Sequence, residues 1–237
     1  MDLPFGQDAA YRFDSLFQWL NRKYRLEQVT LSIAGESYRI FKIQNIDEVL
    51  ELALKESARP DEHAPYWAEI WPSALALGQF LRREVNLAGR TVLELGAGLG
   101  LAGIVAHRCG AEVLLSDLED DALRMAELNW IINFGEPPAM VRLDWRNPAL
   151  NRQFDALLAA DLAYEKRLFW PLIDAFGKLL APGGEIWLSE PNRPVAGEFF
   201  AILKREGFSY KKITETVEFE QRKTDISVYR IIKGRKR

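Results

Sequence analysis

The chain has 237 residues, 48% of them apolar and 27% charged, with a formal net charge of -3. That apolar fraction supports a sizeable core and argues against disorder, and the near-balanced charge gives no global pull toward nucleic acid or an acidic membrane. The length suits one α/β domain preceded by an extension, with the extension over 1–60 and the main domain over 61–237.

Residues 8–25 read as an amphipathic helix, because Phe13, Leu16, Phe17, Leu20 and Tyr24 recur at helical spacing. Val29 to Ile33 and Tyr38 to Ile43 alternate around Ala34-Gly35-Glu36, which signals a β-hairpin. Ile46 to Lys55 reads as a helix and Ser57 to Pro65 as a loop with two prolines. Pro65-Tyr-Trp-Ala-Glu-Ile-Trp-Pro72 is a dense aromatic segment, serving either as a core plug or as a lid, and a helix follows from Ser73 to Arg83. Thr91 to Leu95 is a short apolar strand. It breaks at Gly96 and leads into a helix from Leu99 to Cys109. Strands over 112–116, 139–143, 154–160 and 185–189 then alternate with helices over 120–133, 165–180 and 195–206. Pro182-Gly183-Gly184 is read as a break between helix and strand. Segments 208–219 and 225–232 close the chain as an antiparallel pair. Five strands separated by helices, then two without, give a mainly parallel sheet with an antiparallel edge.

One cysteine, Cys109, excludes an intramolecular disulfide and suits a reducing compartment. His63 and His107 are too far apart for metal-ligand spacing. Without a signal peptide's apolar core or the roughly 20 apolar residues of a membrane span, a soluble cytoplasmic protein is expected. The basic tail, Lys233 to Arg237, reads as a solvated terminus.

A strand, a glycine turn and a helix in that order form a nucleotide-binding element. Gly98 to Gly103 matches the dinucleotide pattern G-x-G-x-x-G, but the strand register argues against a pyrophosphate. The turn begins at Gly96, with Glu94 two residues before it, and a carboxylate repels a pyrophosphate while it favours a cationic ligand. S-adenosylmethionine (SAM) carries a sulfonium and an ammonium and no phosphate. Tryptophan faces such as Trp67 and Trp71 attract such a cation. Asp117 ends the next strand, where an acid can accept ribose hydroxyls. Asp144 and Trp145 end the third, suited to the amino group and the face of adenine. Each of these three residues has a local reading as well, as helix cap, turn former or core.

Val92-Leu-Glu-Leu-Gly-Ala-Gly-Leu-Gly100 closely resembles the first motif of the seven-strand SAM-dependent methyltransferases, and the likeness covers roughly residues 65–232. The aromatic segment 65–72, the upstream hairpin and Asp161-Leu-Ala-Tyr164 are similar to a narrower group with a D-x-x-Y/F signature. These are small protein-lysine methyltransferases whose known members modify electron-transfer flavoprotein, chaperones and elongation factors. The resemblance implies a Rossmann-like seven-stranded sheet and SAM as cofactor, with S-adenosylhomocysteine as product. It implies cofactor contacts from Glu94, Gly96, Gly98 and Asp117, with Trp71, Asp144 and Trp145 alongside, and it places Asp161 and Tyr164 toward the methyl acceptor. A protein substrate is the implied partner, with neither membrane nor nucleic acid expected. Glu190-Pro-Asn-Arg193 lies on the same rim without a role that the sequence decides. A small-molecule methyltransferase, a silent SAM-binding protein and an NAD-dependent oxidoreductase stand as alternatives.

Overall fold

Phe13, Leu16 and Leu20 turn one stripe of helix α1 (Gln7–Tyr24) into the core, and Arg22 and Lys23 close its last turn. The computed structural model describes residues 6–47, 49–51 and 65–234. The hairpin follows as β1 (Leu26–Ile33) and β2 (Glu36–Ile43), joined by Ala34 and Gly35 at φ 49° and 84°. Two positive φ values in a two-residue loop match the right-handed twist of the paired strands. Residues 46–47 and 49–51 are helical, as expected. The rest of that expected helix, loop residues 57–64 with His63, and tail residues 235–237 lie outside the described residues.

The aromatic segment makes a single turn, Tyr66–Ala68, and then α2 (Pro72–Glu84) starts on Pro72. Strands and helices alternate from there: β3 (Thr91–Leu95), α3 (Leu101–Arg108), β4 (Glu112–Asp117), α4 (Asp120–Phe134), β5 (Ala139–Arg142) and β6 (Phe154–Ala160). The remainder is α5 (Lys166–Leu179), β7 (Leu180–Glu190), α6 (Ala196–Arg205), β8 (Phe208–Phe219) and β9 (Arg222–Lys233).

Seven strands lie in the order β5-β4-β3-β6-β7-β9-β8. The β5/β4, β4/β3, β3/β6 and β6/β7 pairs are parallel. Strand β9 runs antiparallel to both β7 and β8, so it is the reversed strand of the antiparallel edge and sits one place in from it. Alternate strand residues serve opposite faces. Val92, Leu115 and Leu158 pack under α1–α4 and the hairpin, while Leu93, Leu157 and Leu188 pack under α5 and α6.

Two local expectations need correction. Pro182-Gly183-Gly184 does not separate a helix from a strand, because β7 runs through it from Leu180 to Glu190. The segment is absorbed as an irregularity, with Phe154 opposite Leu180 and Ala156 opposite Glu185. The closing pair also extends to its turn at Glu220 and Gln221, at φ 49° and 63°, where no glycine marks a loop.

Candidate active site

The chain leaves β3 for β4 on one side and returns to β6 on the other, so β3 and β6 flank the switch point where open α/β sheets bind ligands. A cavity of about 680 Å³ opens there, within the range of small-molecule sites. Trp71, Glu94, Gly96, Gly98, Asp117, Trp145, Asp161 and Tyr164 all line it.

The glycine turn forms the cavity's inner wall. Gly96 and Gly98 sit at φ 59° and 54°. A Cβ on Gly96 would lie 2.8 Å from Leu162, and one on Gly98 would lie 3.1 Å from the Trp67 carbonyl oxygen. Both positions therefore require glycine by conformation and by space. The two inner acids hold this turn. Asp117 accepts the N–H of Gly98 at 2.9 Å and that of Glu119 at 3.0 Å. Glu94 is 2% exposed and accepts the N–H of Gly103 at 2.9 Å. The last glycine of the dinucleotide-like pattern is thus engaged by a carboxyl group, not free for a pyrophosphate. Burial pushes the Glu94 carboxyl up to about 8, with the nearby Asp117 charge acting in the same direction. Burial raises Asp117 as well, against the backbone bonds that lower it. A cationic ligand group would draw both toward the ionised form.

Asp144 is the one expected residue that does not line the cavity. Its carboxylate turns back onto Arg146, accepting that residue's backbone N–H at 2.9 Å and its Nε at 2.8 Å. The guanidinium holds it below the usual carboxylate range, and Arg146 lines the cavity in its place. The turn-former reading of Asp144 fits this geometry.

The outer part of the cavity is aromatic. Tyr66 lies edge-on to Trp71 and to Tyr164, with ring centroids 6.4 and 6.0 Å apart. Trp71 Nε1 donates to the Tyr66 carbonyl at 2.7 Å. Trp67 divides its role: it lines the cavity, yet its ring packs edge-on against Tyr24 of α1 at 5.5 Å. The segment thus packs against the core through Trp67 and lines the cavity through Tyr66, Trp67 and Trp71.

Asp161 lines the same cavity, 9% exposed and at φ 60°. Helix α5 starts later, at Lys166, so Asp161 is not its cap. Its backbone N–H donates to the Ser189 carbonyl at 2.8 Å. Its carboxylate accepts the Ser73 hydroxyl at 3.3 Å and forms an ion pair with Arg193. Sequence reasoning missed Ser73 altogether and left Arg193 undecided. The one available signal was that Arg193 ends the rim segment after β7. Burial raises the Tyr164 hydroxyl above its ordinary value. Among the described residues no cluster of histidine, cysteine or carboxylate side chains suits a metal ion, and no helix is long and apolar enough to cross a membrane.

Buried carboxyl groups, a tight glycine wall and aromatic faces suit a ligand that joins a nucleoside to a cation, as SAM does. Comparison with known proteins agrees. Residues 50–206 match the lysine methyltransferase family. Protein N-lysine methyltransferase METTL21A of Danio rerio is 34% identical over 176 residues, covering 71% of this chain and 78% of its own length. Histone-arginine methyltransferase METTL23 of Xenopus laevis is 33% identical over 151 residues, with 58% and 63% covered. The fold is shared with glycopeptide N-methyltransferase MtfA, solved in complex with SAM, at a TM-score of 0.52 and 16% identity, covering 68% of this chain and 94% of that one. The chain therefore belongs to the lysine methyltransferase family and is an enzyme that uses SAM as its methyl donor.

Proposed function

We propose that this enzyme is cytoplasmic and methylates the side-chain nitrogen of a lysine on a protein substrate, with Asp161 and Tyr164 at the acceptor end of the cavity. Glu94, Gly96, Gly98, Asp117, Trp71 and Trp145 surround the cofactor in this reading, and 1–60 is an extension of the domain over 61–237. The observation that carries it is the buried Asp161 carboxylate lining the same cavity as the ring cluster of Tyr66, Trp71 and Tyr164.

Bound SAM supplies an electrophilic methyl on a sulfonium. The residues of this chain supply alignment and the state of the acceptor. A lysine must arrive without its proton to act as a nucleophile. Aromatic walls disfavour the ammonium and so lower its pKa. The Asp161 oxygens then accept the remaining amine hydrogens and aim the lone pair inward. Ser73 and Arg193 fix that carboxylate on two sides, and the N–H bond to Ser189 fixes its backbone. Tyr66, 45% exposed, leaves the mouth accessible to a side chain borne on a protein.

The test is an incubation of the enzyme with methyl-labelled SAM and an extract of unmethylated cells. A discrete labelled protein band is expected, with the label on lysine. Asp161→Ala should reduce that label by about 100-fold or more while SAM still binds in calorimetry. Label confined to small molecules would overturn the protein-substrate reading. Loss of SAM binding in the variant would move Asp161 into the cofactor site.

A further inference from the structure

Arg193 faces two spaces. Its guanidinium pairs with Asp161 in the cavity, and the same residue lines a second hollow of about 650 Å³ between α6, β8 and β9. Phe200, Tyr210 and Tyr229 line this hollow, with Phe200 centred 4.0 Å from Tyr229 and 4.8 Å from Tyr210. Two exposed lysines stand over these rings. Lys204 Nζ is 4.9 Å from the Tyr210 centroid, and Lys212 Nζ is 5.9 Å from that of Tyr229. Lys212 also donates to Asn192 at 2.9 Å. Ring faces and this bond hold both ammonium groups in place, which lowers the entropic cost of using them in recognition.

The one carboxylate lining the hollow is Glu190, 2% exposed and turned inward. It accepts the Arg193 backbone N–H at 2.9 Å and the Tyr229 hydroxyl at 3.3 Å. The accessible rim is therefore cationic, on a chain whose net charge is -3. A local sign opposite to that of the whole molecule selects a partner by charge. The hollow also begins at the residue that pairs with the acceptor-site acid.

We propose that this hollow docks an acidic segment of the protein substrate, with its carboxylates on Lys204 and Lys212, beside the lysine that enters at Asp161. The inference rests on the lysine acceptor site proposed above. Single-stranded nucleic acid is disfavoured. A phosphate chain is bound along a continuous cationic track with rings free for bases, and here two lysines flank a floor whose Phe200 and Tyr229 are 6% and 5% exposed.

The test uses two fluorescent peptides, one with a single lysine followed by a run of glutamates and one with glutamines in their place, each titrated with the SAM-loaded full chain. The acidic peptide is expected to bind about tenfold tighter and to lose that margin at high salt. The double substitution Lys204→Glu with Lys212→Glu, both exposed, should abolish the preference while the SAM affinity stays unchanged and the chain still unfolds cooperatively. Equal binding of the two peptides, or none of either, overturns the proposal, as does tighter binding of an oligothymidylate. In the extract assay the double variant should raise the KM for the labelled protein and spare kcat. An extract that takes no label while the acidic peptide still binds would defeat the acceptor reading and leave the docking result standing.

Discussion

At the residue scale Glu94 is a buried acid that holds the glycine turn, and its protonation is measurable. Burial pushes its carboxyl from an ordinary 4.5 up to about 8. The fold therefore favours the protonated form. That contribution to stability is complete below about pH 4.5 and is lost as pH rises through about 8, amounting to a few kcal/mol at about 1.4 kcal/mol per unit. Asp117 and Glu190 are also raised by burial and add the same sign. The melting temperature of the cofactor-free enzyme should thus fall across this window, and Glu94→Gln should flatten most of the slope. A slope untouched by Glu94→Gln would mean that the residue is ionised throughout. The acids were legible in the sequence because each ends a strand or precedes the turn by a fixed number of residues. Their partners were not: the bond from Glu94 to Gly103 joins residues whose relation appears only once α3 is placed. Asp161 shows the same division. Its signature marked it, but Ser73 and Arg193 come from α2 and the β7 rim, and no local spacing connects them.

At the scale of elements, two asparagines one turn apart on α4 explain how the hairpin is attached. Asn129 Oδ1 accepts the Phe41 N–H at 2.7 Å, and its Nδ2 donates to the carbonyls of Phe41 and Leu99, each at 3.1 Å. Asn133 does the same for Arg39, accepting its N–H at 3.2 Å and donating to its carbonyl at 2.7 Å. Arg39 and Phe41 are alternate residues on one edge of β2, so the helix side chains pair with this edge as a neighbouring strand would. Asn129 is fully buried, and Leu99 belongs to the glycine turn. Asn129→Ala would leave three buried backbone groups unpaired, and urea unfolding should register a loss of about 2–4 kcal/mol. SAM affinity should weaken as well, since the turn loses a support. Asn133, half-buried, should cost less. Gly98→Ala attacks the same turn directly. A Cβ at φ 54° and 3.1 Å from the Trp67 carbonyl should weaken SAM by about tenfold or more in calorimetry. Alternation and the Ala34-Gly35 turn made the hairpin readable, yet asparagines inside a helix read only as weak helix formers. The turn at Glu220-Gln221 was hidden for a related reason, since neither residue advertises a positive φ.

On the scale of the whole molecule, the described part of the N-terminal unit shares one core with the sheet. Phe13 and Leu20 of α1 and Ile33, Tyr38 and Ile40 of the hairpin belong to the same cluster as Val92, Leu115 and Leu158. Charges tie it further. Arg12 grips Glu127, which is 2% exposed, through two bonds of 2.7 and 2.8 Å. Lys42, 8% exposed, stands among Glu27, Glu69 and Glu220 at 3.5, 3.4 and 3.3 Å, linking the hairpin to the cavity loop and to the β8–β9 turn. Removing residues 1–43 would uncover the apolar faces of α2 and α4 and take away the cation that Glu127 pairs with. At about 25 cal/mol per Å² of exposed apolar surface, uncovering a few hundred Å² costs about 5–10 kcal/mol, comparable to the whole 5–15 kcal/mol by which domains are stable. The full chain should therefore unfold in a single calorimetric transition, with van't Hoff and calorimetric enthalpies equal. The truncated chain should be insoluble or lack a cooperative transition. The cofactor site would sense the cut too, because Tyr24 packs on Trp67, whose carbonyl abuts Gly98. Two separate transitions in the full chain, or a soluble truncated chain with unchanged SAM affinity, would show instead that the extension folds by itself and that the site is complete without it.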